Sequence, residues 1–257
     1  MTVRSRTSLG APIWAELSTS DLHRAEDFYG AAFGWTFESP GPEYGGYVNA
    51  AADGHLVAGL MPVDPQWQRA DGWSTYLHTG DVDATITKAV AAGANSCGSA
   101  MEIPDKGFMA MLTDPSGAPF GLWQPTGHQG FGAVGQPGTP VWHQLTTGDF
   151  RGALAFYREV FGWDTELESD TDEFRYATAK FDGEQLLGVM DGAAFLTAGT
   201  PAQWTCFWGC DDVDETLRII VDNGGSVLRA AEDTPYGRLA AAADPTGAAF
   251  NLSGSSP

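Results

Sequence analysis

The apolar and polar positions of this chain fall into two alternating regimes. Ile13, Ala15 and Leu17 alternate with Trp14 and Glu16, the period of a strand with two different faces. Asp21 then stands where a helix N-cap is expected. Behind it Ala25, Phe28, Tyr29 and Ala32 or Phe33 recur at helical spacing, and Gly34 supplies a stop signal. A middle stretch from about Tyr44 to Met61 turns at Gly54. Trp73–Thr79 reads as a strand, and Asp81 or Asp83 opens a second helix that ends at Gly93. A last strand pair brackets an Asp-Pro-x-Gly turn at 114–117.

The whole order then recurs. Between residues 12–37 and 140–165, at a constant offset of 128, 11 of 26 positions are identical, among them Trp14/Trp142, Asp21/Asp149, Tyr29/Tyr157 and Trp35/Trp163. Farther on, Gly59 and Met61 match Gly188 and Met190, Trp73 matches Trp204, Asp81-Val82-Asp83 matches Asp212-Val213-Asp214, and DPSGAPFGL matches DPTGAAFNL. A period near 130 is too long for a solenoid and predicts a duplicated domain. The expected units are 8–124 and 140–257. Residues 125–139, rich in Gly, Pro and Gln, read as a linker.

Charge narrows the partners. With 33 acidic and 13 basic residues the 257-residue chain carries a formal charge of −20. A nucleic-acid partner and an anionic membrane surface are therefore not expected, because both need a basic face. No apolar run is long enough for a membrane span. The opening MTVRSRTSLG has no apolar stretch, so no secretory leader is expected and a cytoplasmic location is. Cys97, Cys206 and Cys210 are too few for a disulfide framework. On one strand Cys206 and Cys210 would lie about 13 Å apart, so they are expected to be free.

A strand, a capping Asp, a Phe-Tyr helix, Phe-Gly-Trp, a Trp-led strand, Asp-Val-Asp and a closing DPxGxxFxL appear once per half. This pattern resembles the vicinal oxygen chelate superfamily, which includes glyoxalase I, bleomycin-resistance proteins and extradiol dioxygenases, and in particular its tandem glyoxalase-like members from actinomycetes. The resemblance implies an α+β fold of paired βαβββ modules, whose curved mixed sheets enclose cavities. It leaves open whether the modules of one half, or modules across halves, line each cavity.

The resemblance also implies where a metal would be held. Its metal-using members place a His on the first strand, a His at the start of the Trp-led strand and a Glu in the closing Phe-x-Leu. These positions hold Trp14, Ser74 and Gly121 in the first half and Trp142, Thr205 and Asn251 in the second. Neither set supplies the imidazole and carboxylate ligands such metals need, so no metal or other cofactor is expected. A displaced set of Glu16, His55 and His78 has Gln144, Glu184 and Gly209 as its second-half counterparts, which could not form one. His143 is expected to face the helices, and His23 and His128 to lie on the surface and in the linker.

The positive signal is aromatic. Trp14, Tyr76 and Trp123, with Trp142 and Phe207, are expected to face inward, as a flat organic ligand would require. Glu16, Ser74, His78, Gln144, Thr205 and Asn251 could add polar contacts. The loops at 62–72 and 191–203 could cover the cavities. The leading expectation is metal-independent binding of a hydrophobic or aromatic small molecule, in resistance, sequestration or secondary metabolism. A second is a cofactor-free isomerase, lyase or cyclase with Glu16 or His78 as general base and Tyr76 or Ser74 as donor. A third is a metal-dependent glyoxalase or dioxygenase, and a fourth an interaction module with closed cavities. Homo-oligomer formation is left open.

Overall fold

The computed structural model describes residues 7–63, 70–197 and 199–254. The first half runs β1 (Pro12–Thr19), α1 (Leu22–Phe33), β2 (Thr36–Glu38), β3 (Val48–Ala52) and β4 (His55–Pro62). It continues with β5 (Gly72–His78), α2 (Val82–Ala91), β6 (Asn95–Ser96), β7 (Met101–Ile103), β8 (Gly107–Thr113) and β9 (Pro119–Pro125). The second half repeats this as β10 (Pro140–Thr147), α3 (Phe150–Phe161), β11 (Asp164–Asp170), β12 (Arg175–Phe181) and β13 (Glu184–Asp191). Its second module is β14 (Gln203–Gly209), α4 (Val213–Asp222), β15 (Ser226–Thr234), β16 (Gly237–Ala243) and β17 (Ala249–Gly254).

The strand order is β2-β3-β4-β1-β5-β9-β8-β6 in one sheet, with β7 beside β8, and β11-β12-β13-β10-β14-β17-β16-β15 in the other. The two modules of one half therefore build one sheet, which resolves the module pairing. Each first strand runs parallel to the last strand of its own module and antiparallel to the first strand of the next. Both sheets are mixed and open.

Helix boundaries follow from local chemistry. Asp21, Asp81, Asp149 and Asp212 each accept a hydrogen bond from the backbone N–H three residues on, satisfying a donor the helix start leaves orphaned. Gly34 and Gly162 end their helices at φ 69°, a left-handed geometry that favours glycine.

The helices lie between the two sheets and pack crosswise: α1 meets α4, and α2 meets α3. Ile13, Ala15 and Leu17 point into this shared layer and are fully buried. Phe28 meets Phe250 and Trp35 meets Trp208, each across the halves. The sequence motifs are largely fasteners of this layer. Tyr29 donates to Asp244 Oδ2 at 3.1 Å and accepts from Trp73 Nε1 at 3.0 Å. Tyr157, Asp114 and Trp204 repeat the arrangement in mirror. Each Asp uses its other oxygen to hold its own Asp-Pro-x-Gly turn. The Phe-Gly-Trp indoles reach across to backbone carbonyls, Trp35 to Gly138 and Trp163 to Gly10. Burial and the charge of Asp244 raise the Tyr29 pKa well above the usual phenol value.

The segment read as a linker is not a free spacer. Thr126, Gly127 and His128 donate their N–H groups to the Lys106 carbonyl, Phe131 to Ile13 and Gly132 to Leu56. Its glycines permit this close docking: a Cβ at Gly130 would overlap the Ile13 carbonyl. The cysteines are free, with Cys206 and Cys210 buried and Cys97 exposed. No helix among the described residues is long and apolar enough to cross a membrane.

Candidate functional site

Register places the expected residues of the first half on one face. Trp14 pairs with Tyr76, Glu16 with both Ser74 and Gly59, Tyr76 with Gly121 and His78 with Trp123. Residues paired across a sheet share a side, so all of these point away from the helices. Trp14 and Tyr76 are buried there, 4% and 2% exposed. Glu16 lies at the centre: Tyr76 donates its hydroxyl to Glu16 Oε1 at 3.0 Å, and the Tyr47 hydroxyl also bonds to this carboxylate. Trp14 Nε1 donates to the Tyr47 oxygen at 2.8 Å. Burial, then the charge of Glu16, raises the Tyr47 pKa well above the usual value. A half-buried carboxylate is thus gripped by two phenols inside an aromatic wall.

The second half keeps the frame and changes the centre. Trp142 pairs with Phe207, Gln144 with Thr205 and Phe207 with Asn251. Trp142 Nε1 donates to Tyr176, whose hydroxyl donates to Gln144 Oε1 at 3.3 Å. The Gln144 amide in turn donates to Thr146 and the Met190 sulfur. Burial pushes the Tyr176 pKa up to about 12.

Tyr47 and Tyr176 escape periodicity because Tyr47 lies just before β3 and Tyr176 just inside β12, each after an irregular connection. Their signal is spacing. They are 129 apart, as are Gly59 and Gly188, and a Cβ at either glycine would overlap the tyrosine hydroxyl of its own half.

The positions at which the fold family holds metal do not fit one here. Trp14 presents an indole that already donates to Tyr47. Gly121 has no donor side chain, and the Tyr76 ring fills the space its Cβ would take. In the second half Trp142, Thr205 and Asn251 supply an indole, a hydroxyl and an amide. Among the described residues no three His, Cys, Asp or Glu side chains group to hold a metal, so Glu16, His55 and His78 do not assemble into the displaced set.

The connection between the halves supplies residues the composition hid. His128 lies edge-on to Trp14, ring centres 4.4 Å apart, and also meets Trp123, whose Nε1 donates to the His128 carbonyl. Phe131 covers the other side of Trp14 at 5.5 Å. Burial and the nearby Lys106 ammonium hold the His128 pKa down at about 4, and its Nε2 is buried without a hydrogen-bond partner, as is Nδ1 of His78. His128 therefore lies in the connection between the halves, as expected, and is also part of the wall. His143 lies on the opposite, helix-facing side, buried 3.4 Å from the Thr75 hydroxyl. His55 begins β4, half-buried, and His23 is an exposed helix residue. Of the loop at 62–72, residues 64–69 lie outside the described residues. That at 191–203 carries Phe195, 58% exposed.

Sequence comparison now places the chain in a class. Residues 139–252 match the Glyoxalase/Bleomycin resistance protein/Dioxygenase superfamily and residues 14–123 a Glyoxalase-like domain, and the chain belongs to this superfamily. It is 35% identical to Putative glyoxylase CFP32 of Mycobacterium tuberculosis, over 98% of this chain and 97% of that one. It is 33% identical to the Anthracycline biosynthesis protein DauV of Streptomyces sp. strain C5, over 96% of this chain and 94% of that one. The Mn(II)-bound glyoxalase of Novosphingobium aromaticivorans shares the fold, with a TM-score of 0.65 at 14% identity over 96% of this chain and 83% of that one.

Proposed function

We propose that this protein binds a flat, hydrophobic aromatic small molecule on an aromatic sheet face, without a metal. One observation carries the reading: the three positions where the family holds metal are occupied in both halves by groups that do not ligate one, while the aromatic wall is kept. Stacking surfaces with a few fixed polar groups suit a polycyclic ring system. The relationship to an anthracycline biosynthesis protein supports the same ligand class and a place in secondary metabolism. The test is a native mass spectrum of untagged protein purified without chelators, followed by titration with a hydroxyanthraquinone while tryptophan fluorescence is read. The expected results are a chain free of divalent metal and saturable quenching that EDTA does not change. One divalent ion per chain, or quenching that requires one, overturns the reading.

A second reading is favoured by the grip of Tyr47 and Tyr76 on Glu16. A carboxylate in that setting can take a proton from carbon beside a carbonyl, and as it becomes protonated one phenol is released from it to donate its single O–H to the developing oxyanion. Only the first half could act so, because Gln144 replaces Glu16 in the second. If a compound that binds is also converted, Glu16→Gln should abolish conversion and keep binding. Unchanged turnover removes Glu16 from that role.

A further inference from the structure

The two halves differ at the loops that bracket their sheets. In the first half the β2–β3 connection and the β7–β8 turn meet. Tyr44 donates its hydroxyl to the Pro104 carbonyl at 3.1 Å, and the Lys106 ammonium sits 5.3 Å from the centre of the Tyr44 ring. The carbonyl of Lys106 is itself tied to the 126–128 segment. With His128 and Phe131 packed on Trp14, this face is latched at the mouth and filled at its inner end.

The second half has neither closure among the described residues. Tyr236 takes the place of Lys106. Each precedes the glycine of its hairpin, Gly107 or Gly237, at the offset of 130 that also relates Asp114 to Asp244. Tyr236 is 65% exposed. Across from it the β11–β12 connection presents Phe174, 41% exposed and stacked on Tyr176 at 5.7 Å with the rings 11° from parallel. Tyr236 lies near enough to Tyr176 to influence its ionisation.

Phe174 is held out on purpose-built backbone. Its carbonyl accepts from Ser169 and Thr171, its N–H donates to Thr171, and the adjacent Arg175 is paired with Asp170 and Asp191. The second half thus offers two exposed aromatic rings, Phe174 and Tyr236, on loops, where binding residues are disproportionately found. Beside Trp142 a half-open cleft of about 210 Å³ lies at the seam between the halves, lined by Trp142, Glu184 and Leu186 together with Pro12, Val134 and Pro140. That volume takes a ring-sized fragment, since an engineered cavity of about 150 Å³ binds benzene.

Resting on the binding reading above, we propose that the second half is where the ligand loads, with Phe174 and Tyr236 as the aromatic clamp at its mouth and Trp142 at its inner end. The ligand class is a planar, fused aromatic system long enough to span mouth and cleft. The latched first half is not an entry site.

The experiment uses the full chain and 1,8-dihydroxyanthraquinone as probe, read by tryptophan quenching and by calorimetric stoichiometry. One equivalent per chain is expected. Phe174→Ala and Tyr236→Ala should each weaken binding by about three- to tenfold, the range of one aromatic stacking contact. Both side chains are exposed, so folding should not suffer. Tyr44→Phe and Lys106→Ala should leave affinity within about twofold. Two equal sites per chain, or weakening by the Tyr44 and Lys106 variants with indifference to Phe174 and Tyr236, overturns the assignment and leaves the binding reading standing. No saturable quenching by the probe removes both.

Discussion

Tyr29 and Asp244 stand 215 positions apart in the chain and 3.1 Å apart in the fold, and the bond between them ties a helix of one half to the closing turn of the other. Its mirror, Tyr157 to Asp114, does the same in the opposite sense at 3.0 Å. Removing either phenol oxygen leaves a buried carboxylate oxygen short of a donor. Tyr29→Phe and Tyr157→Phe should each lower stability by about 1–3 kcal/mol, read as a shift in urea midpoint at unchanged slope. An effect below a few tenths would mean that water replaces the phenol freely.

The glycine at 121 is a second stability test. Tyr76 occupies the space of the missing Cβ, so Gly121→Ala should cost about 1–3 kcal/mol through overpacking. Gly121→Glu, which restores the family's carboxylate, should cost more. Asn251→Glu, at the equivalent position, replaces a side chain already accommodated beside Phe207 and should be tolerated. Equal effects in the two halves would show that Tyr76 moves aside easily.

His128 sets a pH dependence. Its pKa is depressed in the folded chain to about 4, against an ordinary value of about 6.5, so the unfolded chain binds the extra proton first. The stabilising contribution is full above pH 6.5 and is lost as pH falls from there towards 4, by at most about 3 kcal/mol. Urea melts at pH 7.5 and 5.0 should show a larger loss for the parent than for His128→Phe, whose ring fits the same slot between Trp14 and Trp123. Identical losses would place the proton elsewhere.

A fourth test addresses the grip on Glu16. Gly59→Ala should expel the Tyr47 hydroxyl, breaking its bonds to Trp14 and Glu16, whereas Tyr47→Phe removes the oxygen and keeps the ring. The environment of Trp14 should change in both, seen as a shift in tryptophan emission. Only Gly59→Ala should also lower thermal stability markedly. No emission shift in either would mean that Trp14 is indifferent to its partner.

Legibility in the sequence followed periodicity. The alternation that put Trp14 and Glu16 on one side and Ile13, Ala15 and Leu17 on the other is what the register shows, and the capping aspartates stand where they were expected. Face-sharing among Ser74, Tyr76 and His78 followed from the same rule. Residues brought in by irregular backbone stayed hidden. His128 and Phe131 sit in a Gly-rich stretch whose composition reads as a spacer, and only the tertiary fold shows that its glycines allow close docking. Tyr44, Lys106, Phe174 and Tyr236 lie in turns, where no period links one arm of a sheet to the other. The motifs that announced the family, Phe-Tyr, the Trp-led strand and Asp-Pro-x-Gly, serve mainly to join the halves.

The crosswise packing of the helices carries one more consequence. Each copy of the duplicated unit is the other's folding partner, so neither can be discarded without exposing the core of the survivor. The sheet faces that point away from that core are under no such bond. A duplication built this way secures both copies for the sake of the fold while releasing their two outer faces to drift apart. In this chain that divergence can be read as Glu16 against Gln144 and Lys106 against Tyr236.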